Sequence, residues 1–134
     1  MSETASSTHI TSIGRVMVPV ADQDGAIEFY TRKLGFELRA DIPYGDDERW
    51  VEVGPPGGET AIALVTPRDA FQPGTVNNIA LATRDIDALH AELSEAGVDT
   101  DAEVSRMGDP VPPMLWFRDQ DGNPLLVVED RGQR

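Results

Sequence analysis

The sequence predicts a single α+β domain made of two βαβββ modules. Punctuation repeats along the chain: Asp22 and Asp85 stand where helices open, Gly35 and Gly97 where they close, and Gly58 and Gly122 ahead of a final strand, all offset by about 63 residues. At the far end, Asp121-Gly122-Asn123 tolerates positive φ between the apolar runs that end at Phe117 and begin at Leu125, so the chain closes on a hairpin and a last strand. With 134 residues there is room for one domain with its own core.

Residues 1–9 are small and polar and are expected to be a disordered tail; the domain runs over 10–131, with modules at about 10–66 and 75–131. Ile13 to Val20 reads as a β-branched strand with Val16, Val18 and Val20 on one face and Arg15, Met17 and Pro19 on the other. Asp22 caps a helix whose Ile27, Tyr30 and Leu34 form a stripe, and Gly35 stops it. Three strands follow, Phe36 to Tyr44, Arg49 to Val53 and Thr60 to Val65, separated by Gly45-Asp46-Asp47 and Pro55-Pro56-Gly57-Gly58. Thr66 to Pro73 reads as a linker.

The order then restarts. Val76 to Ala82 is a strand, Asp85 a cap, Ile86, Leu89 and Leu93 a helical stripe, and Gly97 the stop. Val98 to Met107, Met114 to Phe117 and Leu125 to Glu129 complete the second set, with the proline-rich Met107 to Met114 connection as a stiff wall between strands.

Composition excludes several classes. Without cysteine there is neither a disulfide nor a thiolate chemistry to consider. A formal charge of −13 repels nucleic acid and anionic lipid, so no nucleic-acid or membrane partner is expected. No apolar run reaches the roughly 20 residues of a membrane span, and the first residues lack a basic, then apolar, leader pattern. A cytoplasmic protein is the expectation.

Glu28-Phe29-Tyr30 with Leu34-Gly35-Phe36, Asp85-Ile86-Asp87 ahead of Leu89, and the closing hairpin occur in an order and spacing that resembles the vicinal oxygen chelate superfamily, which includes glyoxalase I, extradiol dioxygenases and the bleomycin- and fosfomycin-resistance proteins. The resemblance covers nearly all of residues 10 to 130. It implies a glyoxalase-like curled mixed sheet with helices outside, a concave cavity for a small molecule, and a homodimer.

Metal-using members of that superfamily take ligands from the first and last strands of each module. Those positions align with Arg15 and Ile62 in the first module and with Asn78 and Leu126 in the second, where a Glu would usually stand three residues after the hairpin Asn. Arginine repels a divalent cation, the aliphatic side chains have no donor, and Asn78 offers one carbonyl oxygen, so no metal and no cofactor are expected. His9 lies ahead of the first strand, and His90 reads as an exposed helical residue.

Alternation places Arg15, Met17, Ile62, Asn78, Leu126 and Val128 on the concave side, with Leu64, and Trp50 with Glu52 if their strand is in the favoured register. Met114, Trp116 and Met107 add adaptable or flat surface for an aromatic ligand. Arg15 inside such a cavity must pair with Glu52, reach solvent or meet an anion. The leading reading is a metal-free protein that binds a small aromatic molecule. Two alternatives remain: metal-free acid/base chemistry with Glu52 as base and Arg15 as oxyanion partner, and a metal-dependent oxygenase, isomerase or lyase, against which the missing ligands argue.

Overall fold

The computed structural model of the chain describes residues 8–74 and 79–130. Two four-stranded sheets make up the molecule, and they do not join into a closed barrel. In the first, β1 (Arg15–Pro19), β2 (Glu37–Tyr44), β3 (Glu48–Gly54) and β4 (Ala61–Val65) lie in the order β1-β4-β3-β2. In the second, β5 (Ala80–Thr83), β6 (Asp99–Thr100), β7 (Met114–Arg118) and β8 (Pro124–Glu129) repeat that arrangement as β5-β8-β7-β6. The first and last strands of each module run parallel and the rest antiparallel. Such a module needs its helix as the crossover between parallel strands.

The first helix is not one regular stretch. Asp22 caps α1 (Gln23–Glu28) by accepting from the Asp24 amide, and the helix then widens into a single π turn over Phe29–Lys33. Thr31 Oγ1 donates to Ile27 O at 2.7 Å in that turn. The wider turn lets the consecutive Phe29 and Tyr30 both reach the core, with ring centroids 5.4 Å apart. Gly35, at φ 76°, ends the turn as Phe36 N bonds back to Tyr30 O. α2 (Ile86–Glu95) follows expectation: Asp85 accepts from Ala88 N, Ile86 and Leu93 are buried, and Gly97 ends it at φ 78°.

One face of each sheet meets the helices. Val18, Val51, Val53, Ile62 and Leu64 of the first sheet share a core with Leu115, Phe117, Leu125 and Val127 of the second and with Tyr30, Ile86 and Leu93 of the helices. The core therefore spans both modules.

Three expectations are corrected here. The strand expected over Val98 to Met107 is only β6 plus an isolated bridge at Ser105, because the register against β7 slips by two residues between Thr100 and Ser105 and continued pairing past Ser105 and Met114 meets Pro113 and Pro112, which have no amide proton to give. The segment expected as a linker, 66–73, contains a tight hairpin in which Arg68 and Phe71 exchange both backbone hydrogen bonds. His90 is half-buried rather than exposed, its Nε2 lying 2.9 Å from Asp101 O. The strand expected from Val76 begins at Ala80 among the described residues, with Ile79 ahead of it, and 75–78 lie outside them.

Candidate ligand-binding site

Register decides which side chains face away from the helices. Arg15 pairs with Ala61, Met17 with Ala63 and Glu52 with Ala63, while Val16 and Val53 both pair with Ile62. Directly paired residues project to the same face, so Arg15, Met17, Ala61, Ala63, Trp50 and Glu52 form the open, concave side of the first sheet. Ile62 and Leu64 instead point to the core. This corrects their expected placement by one residue: the position equivalent to Leu126 is Ala63, because Ala63 pairs with Met17 as Leu126 pairs with Ala80. A slip of one residue inverts a face, and the short apolar run Ala61–Val65, buried over most of its length, has no alternation from which to read the phase.

On the second sheet the expected set holds its face. Met114, Trp116, Leu126 and Val128 pair with one another, Ala80 and Ala82 join them, and all except the two alanines are half-buried. Asn78 lies outside the described residues.

At the centre of the first concave face is Glu52. It is 7 % exposed, receives Arg15 Nε, and receives the Trp50 indole Nε1 at 2.6 Å. Burial pushes its pKa up, but the hydrogen bonds from Arg15 and Trp50 and the charges of Arg15 and Arg39 outweigh that, so the carboxyl titrates below the ordinary glutamate value. Arg15 satisfies the requirement on a cation at this place in two ways, pairing with Glu52 while half its side chain stays in solvent.

Trp50 is thereby clamped at its nitrogen with a ring face left for contact. A cavity of about 290 Å³ opens against it, lined by Met17, Glu48, Trp50, Val65, Thr66, Arg68 and Phe71. Arg68 and Phe71 were missed from sequence because they sit in the presumed linker; their only signal was an aromatic beside a basic residue in an otherwise small, polar connection. A second, larger cavity of about 640 Å³ follows the seam between the unpaired edges of β1 and β5. Met17 borders both cavities, and Ile62 borders the seam from its core side. Met107 is 71 % exposed on the proline-rich connection. That connection walls a third cavity of about 480 Å³ with Arg106, Glu129 and Asp130, at neither of the other two.

Arg39 is held beside this floor by the bulge in β2, donating to Pro55 O at 2.5 Å and Thr60 O at 3.4 Å. Its guanidinium lies where a Cβ on Gly54 would fall, at 2.5 to 2.7 Å. Gly54 is what admits this second cation to the Glu52 side of the sheet.

Of the positions that resemblance assigns to a metal, with Ala63 replacing Ile62 by register, three carry a guanidinium at Arg15 and aliphatic groups at Ala63 and Leu126, and the fourth, Asn78, lies outside the described residues. Among the described residues, no three His, Cys, Asp or Glu side chains gather as a metal-holding group. His9 is exposed, and His90 is engaged beside Asp101 on the helix side.

Residues 12–127 match the family model for the Glyoxalase/Bleomycin resistance protein/Dioxygenase superfamily. The uncharacterized protein YetH of Bacillus subtilis (strain 168) is 34 % identical over 123 residues, covering 90 % of this chain and 99 % of YetH. Among solved structures, TnmS3, an antibiotic binding protein from Streptomyces sp. CB03234, is 35 % identical with a TM-score of 0.80, over 91 % of this chain and 98 % of TnmS3. A member of the same superfamily from Sphaerobacter thermophilus DSM 20745 is also 35 % identical, with a TM-score of 0.85, over 92 % of this chain and all of that one, 100 %.

Proposed function

Because the chain belongs to the Glyoxalase/Bleomycin resistance protein/Dioxygenase superfamily, we propose that it is a binding protein that sequesters a small aromatic molecule on its concave surface without a metal. The observation that carries this reading is the Trp50 indole, fixed through Nε1 to an ionised Glu52 and lining an open, largely apolar cavity. Apolar lining with a few oriented polar groups is what a small-molecule site requires. Similarity to an antibiotic binding protein at 35 % identity supports the same reading.

Three donor positions without a donor do not fit a chelate, so no step is assigned to a metal here. Glu52 is poorly placed as a general base as well: a carboxylate stabilised by two hydrogen bonds and two nearby cations has little affinity for a proton. Binding makes use of the same features, because the pair orients Trp50 without having to react.

We further propose that two chains associate. In one chain the first concave face leaves Met17 50 % and Ile42 56 % exposed, and the two sheets stay unjoined at β1 and β5. Covering such apolar surface favours association.

The test is calorimetric titration with a panel of planar aromatic compounds, followed by mass spectrometry of the recovered ligand. Saturable binding with the compound returned unchanged is expected, and Trp50→Ala lowers the affinity at least about tenfold. Chemical conversion of the bound compound would replace this reading with the enzymatic one.

A further inference from the structure

We propose that the Arg68–Phe71 hairpin is the specificity element of the aromatic site, and that the ligand it selects is a planar aromatic ring bearing an acidic oxygen. The ring sits between Trp50 and Phe71, and Arg68 reads the oxygen. This rests on the binding function proposed above and names its ligand class.

The hairpin is built to present two side chains together. Arg68 N donates to Phe71 O at 3.1 Å and Phe71 N to Arg68 O at 2.8 Å, so the two residues are a directly hydrogen-bonded bridge pair with side chains on one side. Asp69 takes φ 49° inside the turn, and Gln72 Nε2 donates to Asp69 O at 2.9 Å, which ties the turn closed. A connection that only had to span two modules would not need this geometry.

Phe71 and Trp50 line one cavity, yet among the described residues their rings make no contact with each other. Space flanked by two separated aromatic side chains is suited to a third, flat ring. Its volume of about 290 Å³ falls just under the range of about 300–1,000 Å³ for ligand pockets, enough for one ring system.

Charge supplies the rest of the selection. The Glu52 anchor on this face is already engaged, holding Arg15 and Trp50. Among the described residues the Arg68 guanidinium has no hydrogen bond or ion pair, and neither does the Glu48 carboxylate at the same cavity. A guanidinium on a largely exposed arm, in a protein of net charge −13, is an isolated cationic point that can pair with an acidic oxygen on the ring. Glu48 is then placed to accept from a neighbouring ring hydroxyl.

The experiment is calorimetric titration of the full chain with 3-hydroxy-2-naphthoate, 2-naphthol and 1-naphthylmethylamine. The naphthoate is expected to bind roughly tenfold more tightly than 2-naphthol, as a guanidinium–carboxylate pair outweighs a hydrogen bond from the guanidinium to an uncharged hydroxyl. Arg68→Gln brings the two to near parity by weakening the naphthoate far more than 2-naphthol, whereas Phe71→Leu, which keeps an apolar side chain but removes the ring face, weakens both several-fold. Binding of both naphthyl oxygen compounds with neither variant altering it overturns the role of the hairpin and leaves the aromatic site standing. Preference for the amine overturns the assigned ligand class. Failure of all three to bind, in a protein that is folded by circular dichroism, overturns both the hairpin proposal and the aromatic site.

Discussion

Glu52 carries the chemistry of the concave face through two partners of different kinds, a cation from β1 and an indole two residues away on its own strand. Its folded-state pKa lies below the ordinary value of about 4.5, so the stability it contributes is fully present above that value and is lost as pH falls through the depressed one. Glu52→Gln should therefore cost about 1 kcal/mol near neutral pH, with Arg15 half in solvent limiting the loss, and the difference from the native protein should close at acidic pH. Thermal unfolding of both proteins across that pH range checks it. Should the protein turn over any substrate, an equal rate in Glu52→Gln would also remove this carboxylate as the base. Trp50 and Glu52 were legible as inward-facing because β3 alternates between them and its valines; Ile62 was not, because an all-apolar strand carries no phase.

Among the elements, the closing hairpin does more than turn the chain. Asn123, 0 % exposed, donates to Pro19 O at 3.0 Å and Asp119 Oδ2 at 2.9 Å, and its own oxygen accepts from Gly74 N at 2.8 Å. Tyr30 Oη donates to the same buried Asp119 at 2.8 Å, and Asp121 receives Ala21 N at 2.9 Å. The second module's hairpin thus clasps the first module's strand–helix junction. Asn123→Ala should destabilise the protein by about 3 kcal/mol or more, since it strands several buried partners at once, and urea unfolding with an unchanged m-value measures it. Tyr30→Phe removes one donor and should cost about 1–3 kcal/mol by the same measurement. Burial, followed by the charge and hydrogen bond of Asp119, pushes the Tyr30 phenol well above the usual tyrosine value. Its contribution is complete below that usual value and fades as pH climbs toward the raised one. Turn-forming residues announced this hairpin in the sequence, but the hundred-residue reach from Asp121 to Ala21 did not, since composition says nothing about what a side chain meets across the core.

For the whole molecule, the unjoined sheets and the charge of −13 act together. Sedimentation at physiological salt should give the mass of two chains, and Met17→Glu, which adds another negative charge to the open face, should shift the equilibrium to one chain. Elemental analysis of untagged protein incubated with divalent iron, manganese, zinc or nickel should stay far below one metal per chain; a stoichiometric metal would show that ligands come from somewhere other than Arg15, Ala63 and Leu126. The sequence by itself determined the two-module α+β order, the helix caps, the hairpin and the side chains at Arg15 and Leu126, because capping, turn chemistry and side-chain identity are local properties. Only the tertiary structure decided that Ala63 and not Ile62 lies on the open face, that α1 widens into a π turn, that the apparent linker lines one cavity with Trp50, and that Asn123 joins the modules. Those depend on register and on contacts between residues far apart in the chain, which are settled by the packing of both modules around one core.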